Sequence, residues 1–489
     1  MTTTLDSNPP LGVYLTPDER AQIGKAARER VSRTMQGQWA PAADRPDPVA
    51  LLLEQEFTRV PGLLPLRHER MGVSAFAFYR GTAVIMANDL GAGPNSGLQV
   101  QLCGDAHLSN FGLFAAPDRV PIFDVNDFDE TLPGPFEWDV KRLCASFVLA
   151  ARDNGLAADQ ATGTAMEAAR QYRLSMIQYA GMTELDIWYD RVDPSTLEAW
   201  AQRTTGRMGE KAMRKSIAKA QTRTSWTAIS KLTEEVDGRR QFTDQPPLLV
   251  RVPDDAIGRT LLRDALPRYY STLATDRRRL LERYEVIDIG HKVVGVGSVG
   301  LLAWVLLLQG RDSNDLLALQ VKQAQRSVLE PYTAVSAYEE MGERVVQGQR
   351  LMQAASDSFL GWVKGALGRE YYVRQLRDMK WSPDPSGFDA LRLNAYAGLC
   401  GHALARAHAR AGDAIAIATY LGTATTFDEA MGAFGASYAD QVAVDFVAFQ
   451  AAVASGQLAG GEATQDIESY RAIMRNPTKE PEPAPRPGS

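Results

Sequence analysis

The sequence has little of what marks several large classes of protein. Its 489 residues include only three cysteines, Cys103, Cys144 and Cys400, and they lack any CxxC or Cys/His spacing, so neither a disulfide framework nor a zinc site is indicated. The longest unbroken hydrophobic run, LLAWVLLL at 301–308, is far shorter than a membrane span. The N-terminus lacks a cationic stretch followed by an apolar one. We therefore expect a cytoplasmic protein with no membrane partner.

An excess of positive charge is also missing. The chain has 53 Lys and Arg against 59 Asp and Glu, a formal net charge of −6, and so has no overall basic field for nucleic acid or an anionic membrane. Its hydrophobic fraction of 45% is that of an ordinary globular enzyme. The expected partner is a small molecule or a protein, and no nucleic acid is expected.

The pattern of residues predicts an α+β protein with five segments. These are a peripheral N-terminal segment (1–45), a mainly helical part (46–283), a small antiparallel sheet (284–376), further helices (377–475) and a disordered Pro-rich tail (476–489).

Local patterns place individual elements within these segments. Strands are predicted in AFAFYRGTAVIMA (75–87), LQVQLC (98–103), FLGWV (359–363) and EYYVRQL (370–376), and in the apolar runs between 284 and 324. Helices are predicted at about 160–180, 195–232, 260–284, 334–354, 388–411 and 427–454.

The most informative segment is GDAHLSN at 104–110, which follows a predicted strand. Asp105 and Asn110 stand five positions apart, as in an Asp-x-x-x-x-Asn catalytic loop, and Asp124 follows after a further apolar strand. Kinase-type phosphoryl transfer needs a carboxylate that orients the attacking hydroxyl, a neutral oxygen ligand for Mg²⁺ and a second, metal-binding carboxylate. The spacing fits these three roles in that order.

A second segment, GVGSVG at 295–300, precedes LALQVKQA, which carries Lys322. Glycines let main-chain N–H groups approach phosphate closely, so Gly295, Gly297, Ser298 and Gly300 are candidates for covering the phosphates of a nucleotide. A lysine inside an apolar strand needs an anionic partner, and a phosphate or a Glu satisfies that need. The same glycine pattern also suits a dinucleotide-binding turn.

The segment NDFDE at 126–130 is unusually rich in carboxylates. Carboxylates packed together repel one another unless a cation neutralises them, so Asp127 is a candidate metal ligand, with Asp129 as a further candidate. A solvated acidic loop is nearly as good an interpretation. His107, two residues after Asp105, is expected to brace the loop by a side-chain hydrogen bond.

These motifs carry a resemblance. GDAHLSN, the strand ending near Asp124 and PGPFEWDVKRL resemble the catalytic loop, metal-binding Asp and post-loop Asp of aminoglycoside-phosphotransferase-like members of the protein-kinase fold. The resemblance implies that Asp105 is catalytic, that Asn110 and Asp124 bind Mg²⁺, and that Asp139 supports the loop. The chain from about Arg67 to Gln450 also resembles the bacterial domain-of-unknown-function family 2252, in segments such as QLCGDAHLSNFG, VVGVGSVG, RLMQAASDSFLGW and YYVRQL.

The resemblance to kinases has two departures. Ordinary kinases place the Gly-rich loop and the Lys before the catalytic loop, whereas here Asp105 precedes Gly295. We therefore expect a two-lobed, protein-kinase-like fold with circularly permuted lobes, the small lobe being 284–376. The second departure concerns the Glu that pairs with the Lys in kinases, for which spacing favours Glu340 and Glu330 is the alternative.

The expected function is ATP- and Mg²⁺-dependent phosphoryl transfer to a hydroxyl-bearing small molecule or protein that the sequence does not identify. Transfer of AMP by the same residues and a nucleotide-binding pseudokinase are variants of this hypothesis. A NAD(P)-dependent oxidoreductase needs a helix directly after Gly300. A metal-dependent phosphoesterase is the remaining alternative, although the chain has only five His.

Overall fold

The computed structural model describes residues 14–223, 225–253, 257–293, 295–365, 368–376, 379–461, 467 and 471. These residues form a mixed α+β structure with one larger antiparallel sheet and several two-stranded ladders, which confirms the predicted class. The predicted tail at 476–489 lies outside the described residues. In the part of the chain that the structure describes, no helix is long and apolar enough to cross a membrane.

The larger sheet has six strands, namely β7 (Leu249–Arg251), β8 (Glu285–Lys292), β9 (Ala303–Gln309), β10 (Leu316–Ala324), β11 (Gly361–Lys364) and β12 (Glu370–Gln375). Their order across the sheet is β11, β12, β10, β9, β8, β7. In β9, Leu306 and Leu308 belong to one buried cluster and Val305 and Leu307 to another. Since successive side chains of a strand point to opposite faces, the centre of the sheet is covered on both sides.

Three helices accompany this sheet: α11 (Ile257–Ser271), α12 (Thr275–Leu281) and α13 (Met341–Met352). α11 packs on β11, and α13 packs on β11 and β12. Gly342 of α13 lies so close to the sheet that a Cβ there would come 2.3 Å from the main-chain oxygen of Tyr371. This close approach brings α13 against the strand next to the one that carries Lys322.

The rest of the described chain is mainly helical and shares one extended core. Its helices are α1 (Pro17–Arg30), α2 (Pro48–Glu56), α3 (Leu64–Met71), α4 (Ala75–Tyr79), α5 (Ala83–Gly91), α6 (Phe136–Asp153), α7 (Ala158–Ala180), α8 (Glu184–Tyr189), α9 (Pro194–Gln221), α10 (Ser225–Ser230), α14 (Ala390–Ala411), α15 (Ala414–Leu421) and α16 (Thr426–Ala454). α6 is central, and α7 packs against α14, α16 and α6. These helices and the loops between them are called the helical half. It contains segments that precede the sheet strands β8 to β12 in the sequence and segments that follow them.

Two short ladders place the polar loops side by side. β1 (Gln99–Leu102) pairs with β4 (Leu132–Pro135), and β2 (Phe111–Ala115) pairs with β3 (Pro121–Val125). The register pairs Leu102 with Leu132 and Phe111 with Val125. Because residues 103–110 and 126–131 begin and end at these paired positions, the two loops lie next to each other. A third ladder joins β5 (Thr233–Val236) and β6 (Arg239–Phe242).

One predicted strand is wrong. Residues 75–87 form α4 and the start of α5 rather than a strand. Ser74 caps α4, since its hydroxyl accepts a hydrogen bond from the main-chain N–H of Ala77. The buried Phe76 and Phe78 alternate with the half-buried Ala75 and Ala77, as in a strand, and only the buried Tyr79 next to Phe78 departs from that pattern.

The N-terminal segment is less peripheral than its composition predicts. A capping box at Thr16 begins α1, which packs on α15. Arg45 lies between two buried carboxylates, Asp89 of α5 and Asp445 of α16, with Nε and Nη2 each 2.7 Å from an oxygen. The described part of this segment is therefore tied to the helical core.

Candidate functional site

The loop that follows β1 is held by the first turn of α6. The main-chain N–H groups of Cys103 and Gly104 donate to the Asp139 carboxylate at 2.8 and 3.1 Å. Gly104 has φ +83°, and a Cβ there would lie 2.4 Å from the main-chain oxygen of Glu130. Only glycine fits this position, because both the conformation and the space exclude a side chain. Asp139 also lies 3.2 Å from His408 Nε2.

Asp105 projects from this loop toward a cavity. Its Oδ1 accepts from Arg142 Nε at 2.8 Å, its Oδ2 lies 3.7 Å from His107 Nε2, and its main-chain oxygen accepts from Asn110 Nδ2 at 2.8 Å. Burial raises the pKa of Asp105, Arg142 opposes this rise, and Asp127 adds to it. The result is an oriented carboxylate with more affinity for a proton than an exposed aspartate has.

His107 is buried beside Asp105. Burial lowers the pKa of His107 well below its usual range, and the charges of Arg80 and Arg142 lower it further. The imidazole is therefore neutral at physiological pH. Its Nδ1 has no hydrogen-bond partner among the described residues, and its Nε2 lies 3.7 Å from Asp105 Oδ2, which is longer than a hydrogen bond. The bracing hydrogen bond predicted for this side chain is therefore not seen among the described residues.

The predicted metal ligand Asp124 is placed away from the cavity. It is fully buried, both of its carboxylate oxygens lie 2.6 Å from Arg406 Nη2 of α14, and the N–H groups of Val125 and Ala354 also donate to it. Because these contacts occupy both oxygens of the carboxylate, they correct the prediction that Asp124 binds Mg²⁺. Sequence spacing could not reveal Arg406, because this partner lies 282 residues away in the chain.

Lys322 of β10 contacts the loop at 126–131, which is called the acidic loop. Its Nζ forms an ion pair with Asp129 Oδ2 and lies 3.9 Å from Asp127 Oδ1. Asp129 also accepts hydrogen bonds from Tyr372 Oη at 2.8 Å and Ser298 Oγ at 3.3 Å. Burial opposes ionisation of Asp129, but Lys322 and the hydroxyl of Tyr372 lower its pKa. Both members of the pair are therefore charged.

This pairing corrects the predicted partner of Lys322. Glu340 is the N-cap residue of α13, and Glu330 pairs with Arg326 at 3.4 Å. In the described structure the negative charge beside Lys322 comes from Asp129 and Asp127 instead. The physical reason is that the 126–131 loop packs directly against β10, so its carboxylates already neutralise the ammonium.

The Gly-rich loop joins β8 to β9 and is anchored to the helical half. The main-chain oxygen of Gly300 accepts from Val60 N–H at 2.8 Å, Val299 oxygen accepts from Arg59 Nη1 at 2.5 Å, and Gly295 oxygen accepts from Arg70. Gly295 and Gly300 have φ +68° and +93°, conformations that favour glycine. The loop is thus held over the catalytic-loop candidates by contacts with residues 59–70.

Two cavities meet at this loop. The larger, about 750 Å³, is lined by Lys322, Asn126, Arg374 and the end of β12, and the smaller, about 530 Å³, by Asp105, His107 and Asp129. Five residues line both: Arg80, Asn110, Asp127, Gly295 and Ser298. Gly297 lines the smaller cavity only.

The two cavities differ in charge. The described lining of the larger one contains seven Lys or Arg side chains and two carboxylates, namely Arg80, Arg119, Arg277, Lys292, Lys322, Arg374, Lys380, Asp127 and Asp357. The smaller one contains three Arg and five carboxylates, namely Arg59, Arg80, Arg326, Glu54, Asp105, Asp127, Asp129 and Glu130. The larger cavity is therefore suited to an anionic group and the smaller to a neutral or cationic one.

Two of the predicted Mg²⁺ ligands line both cavities. These are Asp127 and Asn110, and Asp127 Oδ1 has no hydrogen-bond partner among the described residues. The described chain has no group of three or more His, Cys, Asp or Glu with metal-binding geometry. Mg²⁺ commonly uses one or two carboxylates together with phosphates and water, so Asp127 and Asn110 fit that ion when phosphate supplies the other ligands.

Sequence reasoning missed several arginines that organise the site. Arg344 of α13 donates to the main-chain oxygens of Thr131, Asp129 and Gln325 at 2.6 to 2.8 Å. Arg142 positions Asp105. The sequence gives no signal for them, because one arginine in an amphipathic helix looks like another until its tertiary partners are known.

Comparison with known proteins identifies a family. The model of a family described as an uncharacterized protein conserved in bacteria (DUF2252) matches residues 59–452. No curated protein and no solved structure matches the chain. The matched region covers most of the sequence and contains the site residues described above except Glu54, and the chain therefore belongs to this family.

Proposed function

We propose that this member of the family is an ATP- and Mg²⁺-dependent phosphotransferase that acts on a hydroxyl-bearing acceptor. The observation that carries the proposal is the ion pair of Lys322 with Asp129 and Asp127, beneath the Gly-rich loop and between two cavities of opposite charge. A triphosphate needs cations, and an acceptor hydroxyl needs a carboxylate nearby. The larger cavity supplies the cations, and the smaller cavity supplies the carboxylate.

In the proposed arrangement the larger cavity binds the nucleotide. Lys322 and Arg374 would neutralise phosphate oxygens, and the main chain of Gly295, Gly297, Ser298 and Gly300 would cover them. The loop is suited to this role because its carbonyls at Gly295, Val299 and Gly300 are already bound by the helical half.

Asp105 has the proposed role of catalytic carboxylate. Arg142 fixes one carboxylate oxygen, so the other is directed into the smaller cavity, where the acceptor would bind. The raised pKa of Asp105 improves its ability to take the proton of an attacking hydroxyl. Asp139 contributes by holding the main chain on which Asp105 lies.

Mg²⁺ would be held by Asn110 and Asp127, and when bound it would neutralise phosphate charge. Asp124 is not included because Arg406 occupies both of its oxygens. Asp124 has instead a supporting role, since it fixes the end of β3, from which the chain continues to Asp127.

We further propose that the chain has a kinase-like architecture with permuted lobes. The six-stranded sheet, with its Gly-rich loop and Lys322, corresponds to the small lobe, and helices from both ends of the chain correspond to the large one. The sheet extends beyond the predicted 284–376 because β7 (Leu249–Arg251) pairs with β8.

The alternatives are less well supported. A dinucleotide-binding turn requires a helix after Gly300, whereas strand β9 begins at Ala303. A phosphoesterase built on Asp105, His107 and Asp124 would need these side chains together, but Asp124 is bound to Arg406. AMP transfer and a pseudokinase use the same cleft and are separated from phosphoryl transfer by the assay below.

The first test is thermal unfolding with MgATP, MgADP, NADH or Mn²⁺ alone. At one hundred times its Kd, a ligand that binds only the folded protein adds about 2.7 kcal/mol of stability. We expect MgATP and MgADP to raise Tm and NADH to leave it unchanged. Stabilisation by NADH without stabilisation by ATP would overturn the proposal.

The second test follows label from ATP in the presence of Mg²⁺, with water as the surrogate acceptor. We expect phosphate to be released from γ-labelled ATP and no AMP to be transferred from α-labelled ATP. Asp105→Asn should slow release by roughly 10²- to 10⁴-fold while MgADP binding is retained, because Asn cannot accept the proton. Unchanged release in this variant would remove Asp105 from the proposed mechanism.

A further inference from the structure

Arg80 stands where the two cavities meet. It is the C-cap residue of α4 and one of the five residues that line both cavities. Of these five, it carries the only positive charge. A group that bridges the two cavities therefore lies close to Arg80 as well as to the other four shared residues.

In the part of the chain that the structure describes, this guanidinium has no hydrogen-bonded or ionic partner. Within the described residues it makes no hydrogen bond or ion pair, its Nε is buried without a partner, and its nearest aromatic contact is the Phe76 ring at 5.9 Å. By contrast, the buried arginines nearby, Arg59, Arg142 and Arg344, each donate to a carbonyl or carboxylate oxygen. A largely buried cation without a partner costs free energy, and an anionic ligand would remove that cost.

The residues around Arg80 leave its guanidinium available to bind a ligand. Burial lowers the pKa of Arg80, and the charge of Asp105 opposes this. The two side chains thus interact electrostatically, but the described structure contains no ion pair between them because Asp105 is bound to Arg142. Arg80 consequently lies near the proposed base without blocking it.

We propose that Arg80 is a catalytic residue that binds the phosphoryl group during its transfer between the cavities. The inference rests on the proposed function. In the step, the acceptor oxygen forms a bond to the terminal phosphorus of ATP, and the bond from that phosphorus to the bridging oxygen breaks. The electron pair of the broken bond stays on ADP, and the proton of the hydroxyl passes to Asp105.

The chemistry of the step explains why an arginine is suited to this position. Negative charge is spread over the three equatorial oxygens of the phosphoryl group in transit. A guanidinium donates two parallel hydrogen bonds to such oxygens and keeps its charge when buried. Lys322 would bind the phosphates before transfer, whereas Arg80 would bind best at the midpoint of the transfer.

The test compares Arg80→Met and Arg80→Lys with a control, Arg326→Met. Arg326 also lines the smaller cavity, but its side chain is 78% exposed and it pairs with Glu330. The probes are MgADP alone and MgADP with aluminium fluoride, a planar mimic of the phosphoryl group in transit, with Kd measured by calorimetry. Release of phosphate from γ-labelled ATP is measured in parallel.

We expect the wild-type protein and Arg326→Met to bind MgADP more tightly when the fluoride is present. Arg80→Met should bind MgADP within about twofold of wild type, lose most of the gain from fluoride, and release phosphate roughly 10²- to 10³-fold more slowly. Arg80→Lys should recover part of both losses because it restores the charge without the paired donors.

Two results would overturn the inference. In one, Arg80→Met retains the full gain from fluoride; in the other, it weakens MgADP alone as much as MgADP with fluoride, which would make Arg80 a structural or ground-state binding residue. Failure of the wild-type protein to bind MgADP or MgATP is a different outcome, because it rejects the proposed function itself.

Discussion

At the scale of single residues, Glu130 shows how the packed acidic loop affects stability. Its Oε2 accepts from Val328 N–H at 2.8 Å, and its main-chain oxygen accepts from Ser327 Oγ at 2.7 Å. Burial raises the pKa of Glu130 to about 7, although Val328 and Arg344 oppose the rise. The folded protein therefore binds a proton at Glu130 at a pH where the unfolded chain has released it.

This shift predicts a pH dependence with a definite sign. Between the ordinary pKa of 4.5 and about 7 the folded state binds more protons at Glu130 than the unfolded state, so the contribution of Glu130 to stability falls as pH rises through this window. Glu130→Gln keeps an acceptor for Val328 and removes the titration. We expect the variant to gain stability relative to wild type from pH 5 to pH 8, by at most on the order of 3 kcal/mol.

The measurement is urea denaturation of both proteins at several pH values between 5 and 8. Titration elsewhere in the chain is common to both and cancels in the difference between them. Parallel curves of unfolding free energy against pH would contradict the raised pKa of Glu130.

Sequence reasoning at this scale identified residue types better than contacts. Asp105 and Asn110 were singled out from their spacing and Asp127 from the density of carboxylates around it, and all three line a cavity. The contacts of Asp124 and Lys322 were wrong, because they depend on which carboxylate and which arginine meet in space. Local spacing contains no information on contacts made across more than a hundred residues.

At the scale of elements, a buried ion pair joins β3 and α14. Arg406 and Asp124 have side chains exposed by 0% and 1%, so both charges are removed from water. Removing one member of a buried pair leaves the other uncompensated and typically costs 3–5 kcal/mol.

We therefore predict that Arg406→Met lowers the free energy of unfolding by about 3–5 kcal/mol. The matched control is Arg392→Met on the same helix, where the arginine is 65% exposed and lies 4.0 Å from Asp389. That variant should cost less than about 1 kcal/mol. Urea denaturation followed by tryptophan fluorescence measures both, and equal losses would refute the distinction between the two pairs.

Several helices and strands could be predicted from sequence patterns alone. β12, α14 and α16 were predicted close to their observed bounds, and β9 and β10 lie within the apolar runs where strands were predicted without exact limits. Apolar strands and long periodic helices are the clearest patterns. The short run at 75–87 was assigned wrongly. Five apolar residues in succession suit a buried strand or a buried helix equally, and here the cap at Ser74 and packing on α6 favoured the helix.

At the scale of the whole molecule, the pair of Lys322 and Asp129 joins the sheet to the helical half. We predict that it couples their stability, and that Lys322→Met and Asp129→Asn combined give a coupling energy of about 1–3 kcal/mol in a double-mutant cycle. The reference is the exposed pair Arg214 and Glu198 on α9, with side chains 63% and 28% exposed, for which less than about 1 kcal/mol is expected.

The unfolding free energies of the single and double variants give the coupling directly. A value near zero for Lys322 and Asp129 would mean that the two halves are held together by other contacts. The same variants should weaken MgATP binding under the proposed function, because Lys322 would no longer neutralise the phosphates.

The division into a helical part and a central sheet was predictable from the change in residue pattern near Tyr284. The way in which the helical part and the sheet are joined could not be predicted, because it depends on contacts between loops 103–110 and 126–131 and residues far along the chain. The attachment of the Gly-rich loop to Arg59, Val60 and Arg70 was likewise hidden, since these residues lie in helices and turns with ordinary composition.

The distance of 193 residues between Asp129 and Lys322 has a consequence for biosynthesis. A ribosome adding about 5–20 residues per second needs roughly 10 to 40 seconds to cover that distance. During this interval the nascent chain already contains the carboxylates but not yet the ammonium that neutralises them. The cleft therefore completes late in translation, once Lys322 has been added to the chain and can pair with Asp129.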